Sequence, residues 1–323
     1  MVVSPRIPIF IAALALCAAV SVFAQSYPAR PLRLVVPYAA GGSTDVLARI
    51  IGQKLTAMLG QAVVVDNRTG AGTLIATEIV AHAAPDGYTF LMATPPLTVA
   101  PALYAKLPFD VERDFAPITN IAATSNVLVV HPAVPAQNVR ELIALAKAHP
   151  DVYTFGSSGV GGASHLAVEL FRSMAGIELV HVQYKGGSLA VTDLLGGRLT
   201  LMFANLTTVQ NHIKTGRLRA LAIGTAQRSL VVPELPTVAA AGVPGYEANN
   251  WNGMVAPAGT PRAVIERLQR EIKAIVDAPD MREKLLQSAF EPIADTPAEF
   301  TRYLAAERVK WGKVVRTANV KPE

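Results

Sequence analysis

Val35-Val36-Pro37-Tyr38-Ala39-Ala40-Gly41-Gly42-Ser43-Thr44-Asp45, running on into Val46-Leu47-Ala48-Arg49-Ile50-Ile51, decides the fold. Its apolar start reads as a buried strand, its centre is too small and flexible for either regular element, and Ser43, Thr44 and Asp45 are candidate helix N-caps. The stretch is therefore strand, glycine loop and helix N-terminus. Such a loop brings unpaired backbone N–H groups, backed by the positive end of a helix dipole, to the carboxyl edge of a sheet, which suits an anion. Taken alone, the same residues describe a plain strand-to-helix connection equally well.

The pattern recurs downstream. Val46, Leu47, Ile50, Ile51, Leu55, Met58 and Leu59 keep helical spacing up to a stop at Gly60, and Ala62 to Asp66 reads as a second buried strand. A second glycine loop, Asn67 to Thr73, precedes a helix bearing Leu74, Ile75, Ile79 and Val80. A third strand, Tyr88 to Ala93, ends in a break at Thr94-Pro95-Pro96. Successive strand–helix units with short connections predict a parallel sheet whose ligand side is its carboxyl edge.

Ile118 to Ile121 and Val127 to Val130 flank polar Thr124-Ser125-Asn126, a hinge candidate where the chain leaves its first domain. Beyond it the organisation repeats: strand Val152 to Phe155, glycine loop Gly156 to Ser164, then a helix from His165 to Ala175 with a stop at Gly176. Strand Leu179 to Tyr184 leads through Lys185-Gly186-Gly187-Ser188 into another helix, and a strand ending at Asn205 precedes a helix to Gly216. Asn250 to Ala256 reads as a strand returning to the first domain, Thr260-Pro261 as one helix start, and Thr296-Pro297-Ala298-Glu299 as a capping box. Phe300, Tyr303 and Trp311 at helical spacing predict that the tail packs on the first domain. At 323 residues the chain exceeds what one core usually serves. The expected division is a leader over 1–24, a discontinuous first domain of 25–125 and 226–323, and a second domain of 126–225.

Arg6, the apolar run from Ile7, and Val22-Phe23-Ala24 before Gln25 have the pattern of a secretory signal peptide, so export and cleavage near Ala24 are expected. The one cysteine, Cys17, falls in that leader, which leaves no disulfide, thiol nucleophile or cysteine-bound metal in the mature chain. The 29 Lys and Arg against 24 Asp and Glu are scattered, not blocked, so a nucleic-acid partner is not expected.

Catalytic layouts are absent. There is no Walker loop, and Gly70-Ala71-Gly72 lacks the rest of a dinucleotide fingerprint. Gly156-Ser157-Ser158-Gly159 approaches a nucleophile elbow but lacks its spacer and any marked histidine or acid partner. The six histidines show no metal spacing; His165 and Glu169 share a helix face, but two ligands make no site. No catalytic residue, metal or cofactor is expected. His165 reads as a helix-start residue that lines the cleft or bonds the backbone. What remains is a set of Gly, Ser and Thr loops before helices in two α/β domains, able to hold a carboxylate by shared N–H and hydroxyl donors in a cleft that closes by hinge motion.

The chain resembles the tripartite tricarboxylate transporter substrate receptors, the TctC or Bug family of bacterial extracytoplasmic solute-binding proteins. The resemblance runs through Val36 to Asp45, Val65 to Gly72, Pro85 to Thr89, Leu103-Tyr104, Gly159, Gly161, His165 to Ala167, Tyr184 to Gly186, Asp193 to Gly197, Leu235 to Thr237 and Ala256 to Pro261. It implies an α/β, two-domain type II periplasmic-binding-protein-like fold with a ligand cleft between the domains. It also implies a monomeric periplasmic protein that captures a small carboxylated solute for the membrane permease subunits of a tripartite tricarboxylate-type transporter. The implied ligand-binding residues are Tyr38, Ala40, Gly41, Gly42, Ser43, Thr44 and Asp45 on one side, and Ser157, Ser158, Gly159, Gly161, Gly162 and His165 on the other. Thr94, Tyr184, Lys185, Gly186, Gly187 and Asn205 complete the pocket. Asp45 is expected to be structural, since facing the solute it would repel a carboxylate. The sequence departs from the family's common pattern at Gln183, at Ser188-Leu189 and at Ala204-Asn205, all bordering the pocket, which leaves open a dicarboxylate, an acidic amino acid or an aromatic carboxylate. A ligand-sensing module for a membrane sensor and an exported hydrolase are the alternatives.

Overall fold

The computed structural model describes residues 27–184 and 186–321; the expected leader with Cys17, and Lys185, lie outside the described residues. The chain opens with β1 (Leu32–Val36), α1 (Ser43–Leu59), β2 (Val63–Asn67), α2 (Leu74–Ala81), β3 (Thr89–Ala93), α3 (Pro96–Leu103) and β4 (Phe115–Thr124). It continues through β5 (Asn126–Val130), α4 (Val139–Ala148), β6 (Thr154–Ser157), α5 (Ala163–Ala175), β7 (Val180–Gln183), α6 (Gly187–Leu195), β8 (Leu201–Asn205), α7 (Leu206–Lys214) and β9 (Arg219–Ile223). The last part holds α8 (Val238–Ala241), β10 (Asn250–Pro257), α9 (Arg262–Asp277), α10 (Pro279–Gln287), β11 (Glu291–Pro292) and α11 (Pro297–Thr317).

Two sheets result. The first has the order β11-β4-β10-β3-β1-β2 and the second β7-β6-β8-β5-β9. β1 runs parallel to both β2 and β3, as the strand–helix units require, whereas β10 pairs antiparallel with β3 and β4. The sheets are therefore mixed, not parallel throughout, because the crossing strands enter from the opposite direction; β5 likewise lies antiparallel between β8 and β9. The chain leaves the first sheet between Thr124 and Asn126, and Asn250 to Pro257 returns to it, as the sequence indicates. Residues between Thr237 and Asn250 pack with the second sheet: Val238, Val243, Tyr246 and Ala248 share one buried cluster with Leu128, Phe155, Phe171 and Phe203.

Helix ends follow local chemistry. Gly60 and Gly176 adopt left-handed conformations that close α1 and α5 with bonds to Thr56 O and Arg172 O, which a side chain would strain. Asn138 caps α4 by accepting Glu141 N–H at 3.0 Å, and Thr296 with Glu299 forms the expected capping box of α11. One expectation is corrected and one extended. Thr260 does not cap α9, whose N-cap is Pro261; its hydroxyl donates to Pro257 O at 2.8 Å instead. The Thr94-Pro95-Pro96 break is also the start of α3, with Pro96 at a helical position that needs no N–H donor.

The tail helix does not belong to one domain. Phe300, Tyr303 and Leu304 pack with Val35, Leu91 and Trp251 of the first sheet, but Trp311, Val314 and Val315 sit in the cluster of the second sheet, together with Val99 and Leu103 of α3. Trp311 thus meets α3 of the first domain, as its spacing predicts, and the second sheet's cluster as well. Periodicity identifies an apolar face but not the partner that covers it.

Candidate functional site

The carboxyl ends of β1 and β3 in one sheet, and of β6 and β8 in the other, carry the loops that open onto the space between the domains. In the first, α1 begins at Ser43 with Gly42 as its N-cap, not Ser43, Thr44 or Asp45. Glycine has no side chain to satisfy the first-turn N–H groups, and no side-chain cap bond is present. The second repeats this: Gly162 is the N-cap of α5, again without a side-chain cap. The first helical bonds run from Val46 N to Gly42 O and from Leu166 N to Gly162 O, which leaves the N–H groups of the preceding turn directed out of each helix. α6 starts after Gly186 in the same way.

Each loop is braced from behind. Asp45, buried, accepts Gly41 N–H at 2.9 Å, Arg49 Nε at 2.9 Å and Asn67 Nδ2 at 2.9 Å. Burial works against its ionisation, but these donors outweigh it and hold the carboxyl below its ordinary pKa. Asp45 thereby ties the glycine loop to the first turn of α1 and to Asn67 at the end of β2. Thr44 also turns inward, donating to Asn252 Oδ1 at 2.9 Å beneath the helix. Tyr38 OH lies 3.2 Å from Thr94 Oγ1, which joins the loops after β1 and β3, and Asn67 Nδ2 donates to Tyr38 O at 2.9 Å. Ala40, Gly41 and Gly42 are exposed.

On the facing side His165 is buried and accepts Gly161 N–H through Nδ1 at 3.1 Å, so it bonds the backbone. With Nδ1 accepting, the ring proton sits on Nε2, toward Glu169 Oε1 at 3.7 Å. Burial, then His181 and Arg172, push His165 down to about 3. His181, absent from the expected site, stacks on His165 with ring centroids 4.2 Å apart and places Nε2 2.7 Å from Ser157 Oγ. This serine–histidine contact does not make a nucleophile: Ser157 is fully buried, and its hydroxyl oxygen also accepts Gly159 N–H at 3.2 Å. Ser158 N–H and hydroxyl both engage Ser164 Oγ, at 2.9 and 3.0 Å. The loop's polar atoms thus bond one another.

Tyr184 OH donates to Asp193 Oδ2 at 2.7 Å, and Asp193 also accepts Arg198 Nη1 at 2.7 Å, so that hydroxyl is committed within its own domain. Asn205, the N-cap of α7, reaches instead across the cleft, where Nδ2 lies 3.4 Å from Ser43 Oγ. That contact brings the two sides together. Asn250 Nδ2 donates to Asn205 Oδ1 at 2.9 Å from the returning strand. The contacts join Tyr38 to Thr94 and Ser43 to Asn205, while Ser157, Thr44, Asp45 and His165 are buried and bonded to protein groups. His181, Asn250 and Asn252 were missed. Asn250 and Asn252 could have been noticed, because they stand two apart in an otherwise apolar strand. Among the described residues no cluster of His, Cys, Asp and Glu is arranged for a metal ion, and no helix is long and apolar enough to cross a membrane.

BugT of Bordetella pertussis is 38% identical over 317 residues, covering 98% of this chain and 97% of its own. A solved R. palustris protein with adipate superposes with a TM-score of 0.85 at 37% identity, covering 92% of this chain and 100% of that one. MatC from Rhodopseudomonas palustris with bound malate gives 0.80 at 29% identity, covering 90% and 100%. The model of the tripartite tricarboxylate transporter family receptor, TctC, matches residues 47–320. With this match, the two sheets and the cleft between them, the chain belongs to the TctC family of solute-binding receptors.

Proposed function

We propose that the protein captures a small carboxylated organic acid in the periplasm and delivers it to the membrane subunits of a tripartite tricarboxylate-type transporter. The observation that carries this reading is the pair of uncapped helix N-termini, α1 after Gly42 and α5 after Gly162, on facing sides of a cleft spanned by Asn205 and Ser43. Two positive helix ends with uncommitted first-turn donors suit an anion and need no arginine at the site. The solved relatives with adipate and with malate support the same ligand class. The site comprises Tyr38 to Ser43, Thr94, Ser157 to Gly162, Tyr184, Gly186, Gly187 and Asn205, with Thr44, Asp45 and His165 as its supports. We place the domain boundary of the return near Asn250, because Val238 to Ala248 pack with the second sheet. A thermal-shift titration with carboxylates and their amides tests the reading: a solute that binds only the native state raises the midpoint. Carboxylates should raise it and amides should not. A response to amides alone would sink it.

A further inference from the structure

A primary amide can present either its oxygen or its nitrogen to a partner, and its bonding network decides which. Asn205 occupies an N-cap, where an asparagine oxygen ordinarily accepts from the first turn of the helix; here it makes no such bond. Its Oδ1 is taken by Asn250 Nδ2 at 2.9 Å. Asn250 Nδ2 also donates to Thr124 Oγ1 at 3.1 Å, and the Thr124 hydroxyl donates to Asn250 O at 3.3 Å. These residues sit opposite each other in the β10–β4 pairing, where the two crossing segments meet. Donors thus run in one direction, from the crossing strands to Asn205, and the only atom Asn205 has left for the cleft is Nδ2, 3.4 Å from Ser43 Oγ.

We propose that Asn205, oriented by Asn250, is a specificity-determining residue that offers the solute a donor, and so selects acids bearing an oxygen acceptor at this place over their ammonium-bearing counterparts. The inference rests on the carboxylate-receptor reading above and narrows it. An ammonium group has only donors, so it needs an acceptor or a negative charge. The helices α1, α5, α6 and α7 that begin around the cleft carry the carboxylates Asp45, Glu169 and Asp193, and each is engaged. Asp45 bonds Arg49 and Gly41, Glu169 pairs with Arg172, and Asp193 holds Tyr184 and Arg198. An ammonium facing Asn205 would meet a donor, whereas a carboxylate, hydroxyl or carbonyl oxygen would be bonded.

The test uses matched pairs in calorimetric titrations of the purified protein: malate against aspartate, 2-hydroxyglutarate against glutamate, and adipate against 2-aminoadipate. In the pair that binds most tightly, the wild type should favour the member without nitrogen at least tenfold. Asn250→Asp replaces the donor behind Asn205 with acceptors, which turns the amide over, and Asn205→Asp puts an acceptor in the cleft directly. Either variant should shrink that preference at least tenfold. A folded Asn205→Asp protein decides the matter where Asn250→Asp does not fold. Equal binding within the pairs by the wild type, or a preference unchanged within twofold in Asn205→Asp, overturns the donor assignment and leaves the carboxylate reading standing. If no acid of any pair binds the wild type, both fall.

Discussion

Asp45 and His165 are counterparts: each is the third residue of a helix that opens on the cleft, and each accepts the N–H of the glycine four places before it, Gly41 at 2.9 Å and Gly161 at 3.1 Å. One brace is an anion and the other a neutral ring, yet both take up a loop N–H, and both helices start without a side-chain cap on their first-turn N–H groups. Asp45→Asn sets an amide nitrogen among groups that are all donors, Gly41, Arg49 and Asn67. A loss of about 1–3 kcal/mol of stability is expected for a buried hydrogen-bonded charge so disturbed. Urea unfolding should show this loss, while calorimetric affinity for the best-binding acid changes less than threefold. A selective loss of affinity at unchanged stability would make Asp45 a ligand contact.

Gly42 and Gly161 look alike in sequence and differ in surroundings. Gly42 has an ordinary φ of −74°, and a Cβ there would meet nothing nearer than Ala39 O at 3.6 Å. Gly42→Val should fold with a midpoint close to wild type and lose solute binding by at least tenfold, because the added methyls enter the cleft. Gly161 has φ +74°, and a Cβ would overlap the Leu103 side chain from α3. Gly161→Ala should therefore lower the thermal midpoint by several degrees, from left-handed strain of about 1 kcal/mol plus overpacking of about 1–3 kcal/mol. Equal midpoints for the two variants would contradict this contrast.

Acid should loosen the second domain through His165. Burial, His181 and Arg172 hold it at about 3 against an ordinary 6.5. Between those values the unfolded chain binds a proton that the native chain refuses, so this contribution is complete above about 6.5 and is lost as pH falls toward 3. Asp295 works in the opposite sense. Raised by burial from 3.8 to about 6, although Asn120 N–H and Thr119 donate to it, it stabilises fully below 3.8 and loses that contribution as pH rises to about 6. His165→Asn, which keeps an acceptor for Gly161, should flatten the acid decline of the thermal midpoint between pH 7 and 4. Asp295→Asn should steepen it. Wild-type slopes in both variants would refute the two assignments.

Trp311 and Val309 lie two residues apart on α11 and should behave in opposite ways. Trp311 is buried in the cluster of the second sheet, and its indole donates to buried Glu307 at 2.8 Å, whereas Val309 is 70% exposed. Trp311→Ala should cost about 3–5 kcal/mol in urea unfolding. Val309→Ala should stay within about 0.5 kcal/mol of wild type. A small loss at Trp311 would show that the tail is not part of the second domain's core.

Much of this architecture is legible in the chain, because strand-to-helix units repeat their own chemistry: an apolar run, a small-residue loop, then an amphipathic helix. β1 with α1 and the crossing at Thr124-Ser125-Asn126 appear where these signals place them, whereas β6 runs two residues later than expected, taking Gly156 and Ser157 from the loop, and α5 starts two residues earlier, at Ala163. What the residues could not disclose depends on partners distant in sequence. Trp311 touches the second sheet's cluster as well as α3, since helical spacing carries no information about every surface that covers it. His181 becomes a loop brace only because β7 pairs with β6 and sets it beside Ser157. Asn205 abandons an N-cap that propensity favours because Asn250, 45 residues on, offers its oxygen a better partner.

The course of α11 has an optical consequence. The chain contains two tryptophans. Trp251 lies deep in the core of the first sheet, packed edge-on against Phe300 and Tyr303, where a rearrangement of the domains leaves its surroundings alone. Trp311 stands where elements of both domains touch, with a carboxylate on its ring nitrogen. Steady-state emission of an otherwise unlabelled sample should therefore follow closure through one fluorophore, with the other as an internal reference.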